Sequence, residues 1–242
     1  MTDQIGLPAG WVSTTLEELF VPLSDARTLH QGWSPQCEGE PAADGEWGVL
    51  RTTAIQPGHF LSEHNKRLPA GLQARPAIVV EPGDILITCA GPRSRCGVPC
   101  LVRMTRPKLM MSGKMYRFRV SGDLMSAAFV EAFLLSADAQ AAINRMKTGG
   151  SDSGLNLTHE RFRQLPILVA PTAEQERIVE AIDSYLTRLD DAVVSLARVK
   201  AKLKAYRTSV LKAAVDGCLV PSEASLARAE KRAYEPADEL LA

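Results

Sequence analysis

The residues best suited to chemistry lie between Leu86 and Arg119. There, eight basic side chains (Arg93, Arg95, Arg103, Arg106, Lys108, Lys114, Arg117 and Arg119) occur without a single acid. Cations gathered in this way attract anions, and nucleic-acid phosphate binding is chiefly electrostatic. The competing reading is a solvated face whose counter-charges come from elsewhere in the fold. Within the segment, Ala90-Gly91-Pro92-Arg93-Ser94-Arg95 forms a polar, basic loop after an apolar run. Loops of this kind carry side chains to base edges and phosphates. Arg93 and Arg95 are the first candidates for base or phosphate contact, with Ser94 beside them. Ser112, Lys114 and the loop residues Thr148, Ser151, Ser153 and Asn156 come next, and Arg51 and Thr52 are candidates for backbone contact.

Catalytic constellations are not apparent. The four histidines, at 30, 59, 64 and 159, include no helical pair spaced for a metal. Neither a Gly-x-Ser-x-Gly elbow nor a phosphate-cradling Gly-x-x-x-x-Gly-Lys occurs, and an AdoMet-binding Gly-rich turn with an aromatic catalytic loop is also missing. Cys96 and Cys100 are four apart, but no second pair follows at zinc-site spacing. Five cysteines, an odd number, suit reduced thiols in a cytosol. These features favour a binding module over an enzyme.

The elements that must position the loops fall into two regimes. Of 17 glycines, all but Gly217 precede residue 155, and no proline or glycine interrupts 172–216. In the first regime, 47–53, 78–80 and 84–88 read as strands, the last two split by the turn Glu81-Pro82-Gly83. Residues 116–120 alternate apolar and basic, which predicts a strand burying one face and presenting Arg117 and Arg119 on the other. A helix capped by Asp123 is expected to run to Met146, a short one from Thr158 to before Pro166, and a last strand over 167–169. The predicted class is α+β: a mixed α/β domain over 1–170, one long helix over 171–217, and a tail over 218–242. The chain has 242 residues, 28 basic and 28 acidic, with 45% hydrophobic residues, ordinary globular values. No apolar run approaches the ~20 residues of a membrane span, and Met1-Thr2-Asp3-Gln4 opens no secretory signal. A cytoplasmic protein is expected.

The long helix carries the clearest pattern. Thr172 and Gln175 have the spacing of a capping box, and Gly217 follows the last turn. Ile178, Ile182, Tyr185, Leu189, Ala192, Leu196, Val199, Leu203, Tyr206, Val210 and Ala213 alternate steps of 4 and 3. That heptad row predicts a coiled-coil seam, because a core helix would drift at 3.6 residues per turn. Such a helix is ~66 Å long and would project from the first domain. Residues 174–191 hold six acids (Glu174, Glu176, Glu180, Asp183, Asp190, Asp191) against two arginines, and residues 192–215 hold six bases (Arg198, Lys200, Lys202, Lys204, Arg207, Lys212) and no acid. An antiparallel partner would set acidic half against basic half, although part of this order also complements the helix dipole. A self-paired dimer with a two-fold axis is the expected result.

Seven short stretches, in order, carry a family resemblance. They are Leu7-Pro8-Ala9-Gly10-Trp11, Val49-Leu50-Arg51-Thr52-Thr53-Ala54-Ile55, Pro82-Gly83-Asp84-Ile85-Leu86-Ile87-Thr88 and Thr148-Gly149-Gly150-Ser151. Leu165-Pro166-Ile167-Leu168-Val169-Ala170-Pro171, Glu174-Gln175-Glu176-Arg177-Ile178-Val179 and Leu211-Lys212-Ala213-Ala214-Val215-Asp216-Gly217-Cys218-Leu219 complete the set. With these the chain resembles the specificity subunits of type I restriction–modification systems over nearly its whole length. The resemblance implies a non-catalytic subunit: a target-recognition domain that reads one half of a split double-stranded DNA sequence, then a spacer helix. Paired spacers would fix the gap and dock modification subunits, which bind AdoMet and methylate adenine. No cofactor is expected in this chain, and a restriction subunit that uses ATP is a further partner in such systems. The departure is size, since a usual subunit carries two recognition domains and two spacers. A half-subunit that pairs with itself and the front half of a longer protein both remain open. The first predicts a palindromic split target and the second an asymmetric one. Two readings from other classes also stand: a coiled-coil scaffold that never meets DNA, and a lone methyltransferase or nuclease with an unrecognised motif. The segment 86–119 discriminates against the scaffold, which gives no reason for eight bases without an acid.

Overall fold

A computed structural model describes residues 6–23 and 25–239. The opening tetrapeptide and the last three tail residues lie outside them. Two compact units are present, residues 1–181 and 182–242. The first unit therefore includes the opening turns of the long helix.

Thirteen short strands occur in the first unit: β1 (Val12–Thr15), β2 (His30–Gln31), β3 (Gly48–Leu50), β4 (Ile55–Gln56), β5 (His59–Phe60), β6 (Asn65–Arg67) and β7 (Ile85–Thr88), followed by β8 (Ala90–Gly91), β9 (Pro99–Leu101), β10 (Leu109–Met110), β11 (Met115–Phe118), β12 (Leu155–Asn156) and β13 (Pro166–Val169). Helices α1 (Ala127–Leu135), α2 (Ala137–Met146) and α3 (His159–Arg163) lie between β11 and β13. The central sheet has the order β2-β11-β7-β9 and is antiparallel throughout. A second sheet, β10-β3-β6, contains the parallel pair β10–β3. β1 pairs with β13, so the start of the unit is tied to the strand just before the long helix.

β7 explains why two cores form. Its residues are all buried, with Ile85 and Ile87 in one cluster and Leu86 in the other. A strand apolar at every position has no wet face, so both faces need cover. On one face, Phe118, Phe129, Leu134, Ile143 and Phe162 pack. On the other are Val49, Leu50, Leu109, Met110 and Met115.

Several sequence expectations are corrected. Residues 78–80 form no strand: Pro76 opens a 3-10 turn over Pro76–Ile78, and Val79 makes one isolated bridge to Met110. Proline presets the turn φ and has no N–H to give a ladder. The strand expected over 47–53 ends at Leu50, where Thr52–Ala54 turn as a 3-10 helix. The single helix from Asp123 is two helices. α1 starts after Ser126, and Ser136 breaks the run by capping α2, its Oγ accepting from the Ala139 N–H at 3.3 Å. The short helix α3 starts as expected, with the Thr158 side chain accepting from Arg161.

The long helix α4 spans Thr172–Val215 without interruption. Gly217, at φ +70°, ends it: the Gly217 and Cys218 N–H groups donate to Ala214 and Ala213, the paired bonds of a Schellman cap. Gln175 makes no capping box. It is fully buried and holds α1 instead, accepting from the Ser126 N–H at 2.8 Å and donating to Leu124 and Ala170 at 3.1 and 2.8 Å. Ile178 and Val179 pack on the first core. Further along, the heptad residues are exposed: Tyr185, Leu189, Leu196, Val199, Leu203 and Tyr206 are each more than half accessible. A short helix, α5 (Glu223–Glu230), follows in the second unit. No described helix is long and apolar enough to cross a membrane.

Candidate nucleic-acid interface

The end of β7 positions the candidate loop. After Cys89, β8 pairs with β12, so the 90–95 loop and the 148–156 loop lie side by side although some sixty residues separate them. Gly91 has φ +138°, a backbone conformation that side chains rarely allow. A tight turn follows, with the Arg95 and Cys96 N–H groups donating to Pro92 at 2.8 and 2.9 Å. Gly97 matters for a different reason: an added Cβ would stand 2.6 Å from Ile143, so only glycine lets α2 pack against the loop. The second loop closes on itself through Thr148 and Asn156, which exchange backbone bonds at 2.7 and 2.8 Å, and through Ser151 and Ser153 at 3.0 Å.

Arg93 joins the two loops. Its backbone N–H donates to the Asp152 carbonyl at 2.9 Å, and its Nε and Nη2 both donate to Asp152 Oδ1 at 3.1 and 2.8 Å. Lys147 Nζ donates to the Arg93 carbonyl at 3.2 Å. An open cleft of about 590 Å³ lies here, lined by Arg93, Ser94, Asn144, Lys147 and Asp152. The guanidinium holds the Asp152 carboxyl below the usual carboxylate range. Arg95 has a different role. Nη1 donates to Gln56 Oε1 at 3.2 Å and Nη2 to the carbonyls of Ile55, at 2.6 Å, and Thr52. It is a strut between the loop and the 52–56 turn.

The other candidates are distributed. Lys114 is exposed, and its carbonyl accepts from Cys89 at 2.8 Å, which places it at the loop's end of the central sheet. Ser112 is buried, with its Oγ lacking a partner among the described residues, and offers nothing to a groove. Arg51 is exposed and donates to the carbonyls of Asn65 and Gly39, while the Thr52 carbonyl is held by Arg95. Sequence reasoning passed over Asp152 and Lys147. The signal available was only an acid inside a Ser/Gly-rich loop and a lysine just after α2.

Much of the basic segment, expected as an anion-binding surface, is already engaged within the fold. Counter-charges for four of its eight bases come from elsewhere in the chain, as the competing reading had it. Arg103 pairs with Glu131 at 2.8 Å, and Arg119 pairs with Asp84 at 2.7 Å and Glu81 at 2.9 Å. Arg117, expected at the surface, is buried; it donates to the carbonyls of Val79 and Ala77 and lies 3.6 Å from Asp84. Burial pushes the Asp84 carboxyl up, against the Glu81 N–H and both arginines, which pull it down. Arg106 and Lys108 donate to backbone carbonyls, Lys108 to Gly45 at 2.7 Å. A cation paired with a carboxylate gains less from phosphate than a free one, whereas a bond to a neutral carbonyl leaves the charge in place.

Burial pushes the Cys89 thiol up to about 12 and raises Cys96 and Cys100, which removes the thiolate a nucleophile needs. Cys96 and Cys100 also sit in different cores. Among the described residues no three metal-ligating side chains cluster.

No protein-family model matches the chain. Curated relatives do. The chain is 37% identical over 185 residues to the EcoEI type I restriction enzyme specificity subunit of Escherichia coli, covering 76% of this chain and 30% of that protein. It is 25% identical over 219 residues to the StySPI specificity subunit of Salmonella potsdam, covering 88% of this chain and 44% of the relative. The chain thus spans less than half the length of these relatives. In fold it is similar to a type I restriction–modification system chain at TM-score 0.61 and 18% identity, covering 88% of this chain and 48% of the other. It is similar to the HsdS subunit of Thermoanaerobacter tengcongensis at TM-score 0.53 and 20% identity, covering 90% and 48%.

Proposed function

We propose, from the premise that the chain belongs to the specificity subunits of type I restriction–modification systems, that residues 6–181 read one half of a split duplex DNA target. The observation that carries this reading is the junction of the 90–95 and 148–156 loops. It gathers Arg93, Ser94, Thr148, Ser151, Ser153 and Asn156 in one polar cluster, with Lys114 at the same end of the sheet. Groove readout asks for such side chains on loops held by a rigid sheet. The exposed seam of α4 pairs antiparallel with a second copy, or with the second half of a longer chain. That helix pair fixes the gap between half-sites and docks modification subunits. Methyl transfer and AdoMet belong to those partners, any restriction subunit supplies cleavage, and this chain does no catalysis. The assembly works on DNA in the cytoplasm.

Selection from random duplexes tests this reading, using the full chain assembled with its modification subunits. Two short fixed blocks at a constant gap are expected, palindromic for a self-paired subunit and asymmetric otherwise. Failure to enrich any sequence would refute it. A coiled-coil scaffold is the second reading, and it gains from one observation: the arginines of 86–119 that argued against it have acceptors within the fold. A scaffold predicts the same helix pairing with no enriched DNA.

A further inference from the structure

Arg93 and Arg95 are two residues apart and look equivalent in sequence, but their guanidinium groups are held in opposite ways. A guanidinium has five N–H donors in a fixed planar fork. In Arg95 that fork is directed inward to Thr52, Ile55 and Gln56. In Arg93 the side edge alone is occupied, Nε–H and one Nη2–H converging on the single oxygen Asp152 Oδ1. The end of the fork, Nη1 and the second Nη2 hydrogen, has no partner among the described residues, and the side chain is 53% exposed. Two parallel N–H groups at that spacing match the O6 and N7 acceptors of guanine in the major groove.

The surroundings favour a base over a phosphate. The loop is pinned on both sides of Arg93, by the Asp152 carbonyl and by Lys147. Its side chain therefore starts from a fixed backbone, which a directional contact needs more than a salt bridge does. The Asp152 carboxylate also cancels the arginine charge locally. A phosphate approaching Arg93 meets that carboxylate as well, whereas the guanine edge is a neutral pair of acceptors. We infer that Arg93 reads a guanine of the half-site and that Asp152 is its positioning residue. This rests on the DNA-reading function proposed above and assigns its chemistry at one position.

The test is competition binding of the assembled protein on its selected site, with each base pair replaced in turn. For the unmodified protein, replacing one G·C pair should weaken binding by about 5-fold to 150-fold, the range for a bidentate contact. Arg93→Lys keeps the charge and loses the fork; Asp152→Asn keeps the backbone bond and loses the ionic buttress. Each should flatten the penalty at that one pair, leave the others unchanged, and not weaken binding to unrelated DNA. Asp152→Asn should tighten the latter. Full discrimination retained by Arg93→Lys would overturn the inference. So would an Arg93→Ala protein weakened equally on all sequences, with its salt slope reduced by about 1, since that marks a phosphate contact. If the unmodified protein selects no sequence, the DNA-reading function falls, and the assignment with it.

Discussion

Leu196→Glu probes the seam at its most informative point. The mainly acidic half of the helix ends at Asp191 and the wholly basic half begins at Arg198, so an antiparallel pair that matches the halves has its two-fold axis near residues 194–196. Leu196 then faces the neighbourhood of its own copy. In the single chain it is 69% exposed, which leaves most of its apolar surface available for burial by a partner. Losing that burial costs about 1.5–3 kcal/mol per copy, and the substitution enters twice. Each buried, unpaired carboxylate adds several kcal/mol, and the two repel each other across the axis. The sum is at least about 6–10 kcal/mol, enough to move a nanomolar dimer to tens of micromolar or weaker.

Sedimentation velocity at a few micromolar reads this directly. The unmodified chain should run at twice 26.2 kDa, and the variant as a single chain. Ala197→Glu, one residue off the heptad row, should remain dimeric. Thermal stability of Leu196→Glu should match that of dissociated unmodified chain, because Leu196 is exposed there. A Leu196→Glu protein that stays dimeric with an unchanged dissociation constant would refute the register. An unmodified chain that runs as a monomer at tens of micromolar would refute self-pairing and leave the seam to a different helix.

Other substitutions test the fold that holds the loops. Glu131→Ala should destabilise the first unit by about 1–3 kcal/mol in urea unfolding, since it leaves the buried Leu101 N–H, now bonded at 2.6 Å, without an acceptor. Gln175→Ala strips three bonds at once and should cost at least about 2 kcal/mol, with increased hydrogen exchange at the start of α1. His159 packs edge-on against Tyr116 with its Nε2 buried and unpartnered; burial, then Arg163, holds it below the usual histidine range. The unfolded chain therefore takes up that proton first, and stability falls as pH drops below about 6.5, levelling off below the folded value. His159→Phe should lose less melting temperature than the unmodified chain between pH 7 and pH 5.

The long helix was legible because its evidence is periodic: a heptad row, a glycine stop and an unbroken run without proline. Local signals also placed α3, β7 and β13. What was illegible is where side chains turn once strands pair. Alternation over 116–120 read as one wet face, but β11 lies between two strands, so Arg117 is buried beside Asp84 on a neighbouring element. The capping spacing of Thr172 and Gln175 was real, yet Gln175 found better partners across fifty residues of sequence. Arg93 and Arg95 differ only through Asp152 and Thr52, both distant in the chain. Local sequence offers donors; tertiary structure decides which of them are already occupied.

That allocation bears on how such a unit would hold DNA at all. With Arg103, Arg117 and Arg119 matched to carboxylates, Lys114 is the one basic side chain of 86–119 with no partner among the described residues. Exposed Lys108 spends one donor on a neutral carbonyl and keeps its charge, so with about 0.9 of salt slope per neutralised phosphate this segment would contribute a slope of about 1–2 where eight free cations would give about 7. A single recognition unit would then bind weakly and chiefly by directional contacts. Pairing through α4, as proposed, would make the second half-site an intramolecular encounter, at an effective concentration set by the helix geometry. Weak halves joined by a stiff pair discriminate better than one strong half, because non-specific sites seldom satisfy both at the required gap. The measurement is the salt slope of the Leu196→Glu chain on a single half-site. A slope near −1 to −2 with affinity far below that of the dimer supports this division of labour, and a slope near −7 would show that the arginines leave their carboxylates for phosphate.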